Sequence, residues 1–135
     1  MHTVRAVLDT GAGPNLIRES LLTKDWRRYA QDVTALPRIR DANNGQLNVD
    51  GVLTMLIDIG GHTLRTVFLV CCELAVPVIL GCSFIQRFFK AILPQENKIF
   101  LKYGGAVAIQ SKKIPTVALI ERGTKNRDHP YPWKR

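Results

Sequence analysis

One acidic residue of the chain follows an apolar strand and opens a loop of small residues. Val7 and Leu8 lead into Asp9, which is followed by Thr-Gly-Ala-Gly-Pro-Asn. Two glycines and a proline in so short a stretch favour a tight turn, so Asp9 is predicted at a loop tip. A carboxylate at such a place is a candidate general acid or base.

A second motif lies about 70 residues further on, where the apolar run Val78-Ile79-Leu80 ends at Gly81. Asp-Thr-Gly alone is a weak signal, because a three-residue match with a permissive middle position recurs by chance. The strand before Asp9, the small-residue loop after it and the distant apolar run that ends in glycine are together a specific combination.

These two motifs resemble those of a known family. The stretch from Ala6 to Ile17 resembles the active-site loop of retropepsin-like aspartic proteases, in the version found in gypsy-type LTR retrotransposons. The run that ends at Gly81 resembles their hydrophobic-hydrophobic-Gly motif. The linear order of the motifs matches from Val4 to about Leu101.

The resemblance implies an all-β fold, mainly antiparallel with one or two short helices, in the closed barrel or sandwich of the acid proteases. The residue pattern gives a compatible reading. Apolar spacing and turns predict, in chain order, a strand at 3–8, a short amphipathic turn or helix within 16–29, a polar hairpin at 38–49, a hairpin at 52–59 and 63–70, a buried strand at 76–81, a short helix at 83–90, a hairpin at 91–93 and 98–101, and late strands at 106–109 and 114–120.

In this family each of two subunits contributes one Asp-Thr-Gly, so the resemblance implies a homodimer with two Asp9 carboxylates at its axis. Two carboxylates at hydrogen-bonding distance share one proton, and the pair can activate a water molecule. Thr10 would bond across the axis, and Gly11 would bring its amide close to the carboxylate. The supporting residues implied are Thr10, Gly11 and Ala12 in the loop, and Ile79, Leu80 and Gly81 in the hydrophobic-hydrophobic-Gly motif.

The polar hairpin has its predicted turn at Asn43-Asn44-Gly45, because Asn-Gly is a strong hairpin signal. A hairpin so poor in core residues is expected to project and move, as a flap over an extended peptide substrate would. Asn43, Asn44 and Gly45 are therefore candidate substrate contacts. An ordinary exposed turn explains the same residues equally well.

A rival triplet, Asp58-Ile59-Gly60, has isoleucine where the hydroxyl belongs and lies in an alternating strand. We interpret Asp58 as structural and facing solvent. With one convincing motif, the chain of 135 residues is too short for a fused two-lobe protease, which again favours the homodimer.

The sequence departs from the family pattern in two places. Pro14 and Cys82 stand at or near the positions where viral relatives carry a charged pair that braces the dimer. The family also usually has another strand before the one that reaches the catalytic loop. Ile114 to Ile120 is a candidate to replace part of the dimer's terminal sheet, and the alternative is that the chain is a fragment of a longer polyprotein.

Charge divides the chain into a protease-like domain at 1–103 and a basic C-terminal extension at 104–135, which includes the late strand at 114–120. Lys and Arg outnumber Asp and Glu by 12 to 9 in the first part and by 7 to 2 in the second. A solvated basic tail is the favoured interpretation, and nucleic-acid binding is a side hypothesis that predicts strong salt dependence.

Neither a secretory signal nor an apolar run long enough to cross a membrane is visible, so a cytoplasmic protein is expected. Cys71, Cys72 and Cys82 are interpreted as small core residues, since adjacent cysteines suit no ordinary disulfide. The histidines lack metal-ligand spacing, and neither a metal nor a cofactor is expected.

The function predicted is an aspartic endopeptidase that cleaves an extended peptide or polyprotein. The alternative from another class is a catalytically silent retropepsin-like module that dimerises or binds peptides within a retroelement-derived protein. The intact Asp-Thr-Gly at Asp9 favours the protease.

Overall fold

The computed structural model describes residues 2–9, 11–40, 45–93, 95, 98–102, 106–108 and 116–123, and only the backbone of 2–3, 106–108 and 116–123. Its strands are β1 (His2–Leu8), β2 (Asn15–Arg18), β3 (Ile39–Arg40), β4 (Gln46–Leu47), β5 (Val49–Ile59), β6 (His62–Cys71), β7 (Val78–Leu80), β8 (Phe89–Leu93), β9 (Lys98–Leu101), β10 (Ala106–Ala108) and β11 (Thr116–Gly123). The α-helix of this part is α1 (Cys82–Phe88), and two 3-10 turns cover Glu19–Leu21 and Trp26–Tyr29.

Six of these strands form a closed barrel in the order β1-β11-β5-β6-β2-β7, and β7 pairs back to β1. Closure leaves no strand of the barrel with an unpaired edge. The remaining described strands form a sheet β10-β9-β8 and the hairpin β3-β4, which we call the polar hairpin. The predicted all-β class and closed barrel are confirmed.

The longest pairing of the barrel is the hairpin of β5 and β6, which two runs rich in Val, Ile, Leu and Thr predicted. Ile59 pairs with His62, so only Gly60 and Gly61 form the turn. Both glycines have positive φ, 58° and 83°, as the two-residue turn that matches strand twist requires. This prediction is also confirmed.

β11 joins the barrel between β1 and β5, pairing antiparallel with both. Its ladder with β5 shifts register between Ile120 and Gly123. The barrel therefore includes backbone from both sides of residue 103.

The segment 16–29 differs from the prediction of an amphipathic turn or helix, because its first part is a strand. Leu16 and Ile17 lie in β2, where they pair with β6 on one side and β7 on the other. Those pairings satisfy the backbone of β2 from both sides, which an isolated helical turn would not do. The 3-10 turn Trp26–Tyr29 follows, anchored by the buried Trp26.

The expectation that all three cysteines are core residues is wrong for two of them. Cys71 is buried at the end of β6, whereas Cys72 is exposed and Cys82 is intermediate. Cys72 follows the last residue of β6, so it has left the barrel wall. Cys82 begins α1, at the margin of the core.

The side chains of the barrel wall alternate between two apolar clusters. Ile17, Phe68 and Leu80 belong to the main core, which α1 covers with Phe84. Their neighbours point the other way. They form a second group, which we call the outer cluster: Leu16, Val52, Leu69, Cys71 and Leu74, with Val33, Ile39, Leu47, Val49, Val67, Val76 and Ile79 packed against it.

Among the residues described, no helix has the length and apolar character needed to cross a membrane.

Candidate active site

The parallel pairing of β1 with β7 positions Asp9, the residue that follows β1. Leu8 lies opposite Leu80, and the Asp9 N–H donates to the Leu80 carbonyl oxygen at 3.0 Å. Leu8 and Leu80 are buried, whereas Asp9 is exposed. The strand pair thus ends at the barrel surface, with the Asp9 backbone held and its carboxylate accessible.

The loop after Asp9 folds back on the aspartate. The Gly11 N–H donates to Asp9 Oδ1 at 2.9 Å, and the Ala12 N–H donates to the Asp9 carbonyl oxygen at 3.1 Å. A Cβ atom at Gly11 would lie 3.2 Å from Oδ1, so a glycine suits this close approach. The first bond orients the carboxylate, and the second holds the loop against the Asp9 backbone.

Gly81 packs against the same loop from the other side. A Cβ atom there would come within 2.8 Å or less of the carbonyl oxygens of Ala12, Gly13 and Pro14. Its φ of −87° and ψ of −174° are extended backbone, so the requirement for glycine is one of space. The next two amides, of residues 82 and 83, donate to the Ala12 and Gly13 carbonyl oxygens at 2.6 and 3.3 Å.

Asn15 is a further residue of this site, and the sequence interpretation missed it. Its side chain is buried, with the residue 3% exposed. Oδ1 accepts a hydrogen bond from the Gly81 N–H at 2.8 Å, and Nδ2 donates to the Val67 carbonyl oxygen at 3.1 Å. The available signal was a carboxamide at the start of an apolar strand, where burial demands partners.

We call this assembly, residues 9, 11–15 and 80–83, the Asp9 floor. It brings together the predicted Asp9, Gly11, Ala12, Leu80 and Gly81. Ile79, one residue before the floor, packs in the outer cluster. Thr10 lies outside the described residues.

The profile of the retroviral aspartyl protease family matches residues 1–92, a stretch that contains the whole Asp9 floor. The chain belongs to this family. The barrel strand β11 lies beyond the matched residues. No curated protein matches the chain.

A solved structure with the same fold is that of the retroviral protease-like domain of Ddi1 from Leishmania major. The two share a TM-score of 0.61 at 19% identity, over 78% of this chain and 84% of that chain. At this identity the similarity concerns the fold. The retropepsin-like fold expected from the sequence is thereby confirmed.

The described residues of the polar hairpin of this family member pair with each other and contact the outer cluster. Ile39 pairs with Leu47 and Arg40 with Gln46, and the side chains of Ile39 and Leu47 pack against the outer cluster. Gly45 is exposed beside β4. The predicted contacts Asn43 and Asn44 lie outside the described residues.

Asp58, the rival aspartate, has a local contact at the β5–β6 turn. Its Oδ1 accepts a hydrogen bond from the Gly61 N–H at 2.8 Å. The residue is of intermediate exposure, so its carboxylate is held against the turn and only partly faces solvent. This contact is the kind that short acidic side chains make beside tight turns.

Possible metal ligands come together at Glu19, Asp50 and Cys72, whose ligand atoms lie within 4.8 Å of one another, in the part of the chain that the structure describes. The Glu19 carboxylate also lies 3.5 Å from Arg27 Nη2. The group contains no residue of the Asp9 floor.

Proposed function

We propose that the chain is an aspartic endopeptidase whose active site forms between two copies, each contributing Asp9. The observation that carries the proposal is an exposed carboxylate on a rigid support. The Asp9 backbone is hydrogen-bonded to β7 and to its own loop, and its Oδ1 accepts the Gly11 N–H. Such a preorganised group suits proton transfer, because little reorganisation accompanies the reaction.

The mechanism follows from the coupling of two like groups. Two carboxylates held at hydrogen-bonding distance titrate as a pair and carry one proton between them over a range of pH. The ionised member removes a proton from a water molecule as that water attacks the scissile carbonyl carbon. The protonated member donates its hydrogen bond to the carbonyl oxygen, where negative charge develops. A covalent intermediate is not needed.

The supporting residues have distinct parts in this proposal. Gly11 orients the carboxylate through its amide, and Thr10 bonds across the dimer axis, as the family resemblance implies. Ala12 and Gly81 allow the loop and the end of β7 to approach closely. Leu80 holds the Asp9 amide, and Ile79 joins the apolar outer cluster.

The substrate proposed is an extended peptide that lies between the Asp9 floor and the polar hairpin. Extended peptides add as a strand, with backbone hydrogen bonds for affinity and pockets for alternate side chains. The outer cluster includes Leu16, which directly follows the floor, and Ile39 and Leu47 of the hairpin. These residues belong to one packed cluster, so the barrel wall links the floor to the hairpin. The side chains of the peptide are proposed to occupy mostly apolar pockets. Asn43, Asn44 and Gly45 are the proposed hairpin contacts.

The test is cleavage of an unstructured peptide mixture in mildly acidic buffer by wild type, Asp9→Asn and Asp58→Asn. Asp58 is a matched control, since it also lies in an Asp-x-Gly triplet and also accepts a backbone N–H. We expect Asp9→Asn to abolish cleavage, with an unchanged circular dichroism spectrum, and Asp58→Asn to retain it. Undiminished cleavage by Asp9→Asn refutes the mechanism.

The sharing of the site between copies is tested by mixing. Wild type and Asp9→Asn chains are unfolded together, refolded in varied ratios and assayed. If each site needs two aspartates, an equal mixture retains about one quarter of the wild-type rate, because only pure wild-type dimers cleave. A rate proportional to the wild-type fraction contradicts the shared site. Absence of cleavage by folded, dimeric wild type favours the silent dimerisation or peptide-binding module.

A further inference from the structure

Asn15 uses both ends of its carboxamide inside the barrel wall. Oδ1 accepts the Gly81 N–H at 2.8 Å, and Nδ2 donates to the Val67 carbonyl oxygen at 3.1 Å. Because an N–H only donates and a carbonyl oxygen only accepts, these partners define which end of the amide is which. One side chain therefore joins β2 to β6 and to the end of β7.

The bonds continue from Gly81 into the loop that carries Asp9. The residue before Gly81 accepts the Asp9 N–H, and the two amides after it donate to loop carbonyl oxygens. The Gly81 amide itself is held by Asn15. Gly81 is thus the point where the contacts of the Asp9 backbone and those of the loop meet.

We propose that Asn15 is a positioning residue, which sets the depth and angle at which Asp9 meets its counterpart by holding the Gly81 amide. For its kinetic consequences the proposal rests on the proposed peptidase function. Asn15→Leu has a similar shape and loses both hydrogen bonds. Asn15→Asp keeps an acceptor for Gly81 and places an oxygen against the Val67 carbonyl oxygen in place of a donor.

A matched control is available in Gln31, another buried carboxamide. It is 5% exposed, and its Nε2 donates to Thr54 Oγ1 at 3.0 Å, away from the Asp9 floor. Gln31→Leu therefore reports the effect of removing a buried amide without touching the loop. Both variants are compared as full chains at a temperature where each is folded by circular dichroism.

The kinetic test measures kcat, KM and the pH profile of peptide cleavage. For Asn15→Leu we expect kcat to fall at least about tenfold with KM within about twofold, because alignment of the reacting groups is lost and peptide binding is not. When the two carboxylates are held less firmly, they interact less strongly with each other. The acidic and alkaline limbs of the pH–rate profile therefore move closer together. We expect the control variant Gln31→Leu to keep the wild-type kcat and the wild-type pH profile. Equal losses in both variants with an unchanged profile overturn the proposal.

A second readout does not require activity, so it separates this proposal from the peptidase assignment. Amide hydrogen exchange is followed for Asp9, Gly11 and residues 81–83 in the same variants. We expect Asn15→Leu to accelerate these amides about tenfold or more relative to the amides of β8 and β9. Asn15→Asp keeps the acceptor for the Gly81 amide, so its exchange rates should lie between those of the wild type and those of Asn15→Leu. Unchanged exchange at these amides, or uniform acceleration throughout the chain, overturns the positioning role whether or not the wild type cleaves peptides.

Discussion

The Asp9 floor and the polar hairpin, the two proposed sides of the substrate site, are built in opposite ways. In the floor, the amides of Asp9, Gly11, Ala12 and residues 81–83 all donate to groups of the chain at 2.6 to 3.3 Å. In the hairpin, β3 and β4 share two residue pairs, and Ile39 and Leu47 attach them to the outer cluster.

Under the proposed function, this difference separates a catalytic support that has to stay rigid from a substrate-binding element that has to move. A catalytic group works best when its support does not reorganise during the reaction. A surface that must admit and release a peptide is expected among the less stable elements of a fold, which have few buried contacts. Substitutions in the floor should therefore affect stability and turnover, and substitutions in the hairpin should mainly affect binding.

The largest expected effect is that of Gly81→Ala. The new methyl group would lie within 2.8 Å or less of three backbone carbonyl oxygens, which cannot move independently of the loop. We expect the free energy of unfolding to fall by about 3 kcal/mol or more, measured by urea denaturation.

Gly13→Ala is the matched control in the same loop. A Cβ atom at Gly13 has no atom within 4 Å, and its φ is not in the left-handed region. Its stability should stay within about 1 kcal/mol of the wild type. A similar loss of unfolding free energy in both variants would mean that the loop tolerates no added methyl group at either position. The crowding specific to Gly81 would then be disproved.

The next-largest effect is a difference in unfolding free energy between alanine variants of one isoleucine in each region. Ile17, in β2 directly behind the floor, is fully buried, so Ile17→Ala should lower the free energy of unfolding by about 2–5 kcal/mol. Ile39, in the polar hairpin, is half-buried, and Ile39→Ala should cost about 1 kcal/mol or less. Urea denaturation of both variants tests the comparison.

In a peptide-cleavage assay, Ile39→Ala should raise KM several-fold with kcat nearly unchanged. Leu93→Ala is the control, because this partly exposed leucine on β8 is also apolar and lies outside the hairpin. If Ile39→Ala lowers kcat and leaves KM unchanged, the hairpin does not serve in peptide binding alone.

The smallest effect concerns Cys71, which lies in the outer cluster. Burial, with a further contribution from the Asp50 carboxylate, raises the pKa of its thiol from 9.0 to about 12. The folded chain therefore keeps this proton after the unfolded chain has lost it. The stability that results is fully present below pH 9.0 and is lost as pH rises from there toward about 12.

Urea midpoints between about pH 8 and about pH 10.5 check this sign. Cys71→Ala should show a shallower alkaline decline than the wild type, whereas Cys72→Ala, which alters an exposed thiol, should keep the wild-type slope. Identical slopes in all three proteins would contradict a protonated, buried Cys71.

Elements with a local cause were predictable from the sequence. The β5–β6 hairpin follows from two runs rich in Val, Ile, Leu and Thr and from Gly60-Gly61, whose positive φ values suit a two-residue turn. Asp9 at a loop tip follows from the strand before it and the small residues after it. These features depend on side chains within a few positions of one another.

Elements with distant partners were missed or placed imperfectly. The sequence predicts a short amphipathic turn or helix from the apolar residues Leu16, Ile17, Leu21 and Leu22. In the fold, β6 and β7 pair with Leu16 and Ile17 as a strand. Asn15 was overlooked because its partners lie 66 and 52 residues away. The local sequence around these residues contains no information about which distant strands pack beside them in the folded protein.

The resemblance of the motifs implied the class of the fold, and the sequence by itself determined most of the strands, the place of Asp9 at a loop tip and the turn at Gly60-Gly61. These features depend on the apolar pattern and on turn chemistry within single short segments, so each can be inferred from its own segment alone. Only the tertiary structure decided that β11 enters the barrel between β1 and β5, that Gly81 has no space for a side chain, and that Asn15 holds its amide. Those features arise where segments far apart in the chain come into contact, and the free energy of such contacts depends on both partners at once.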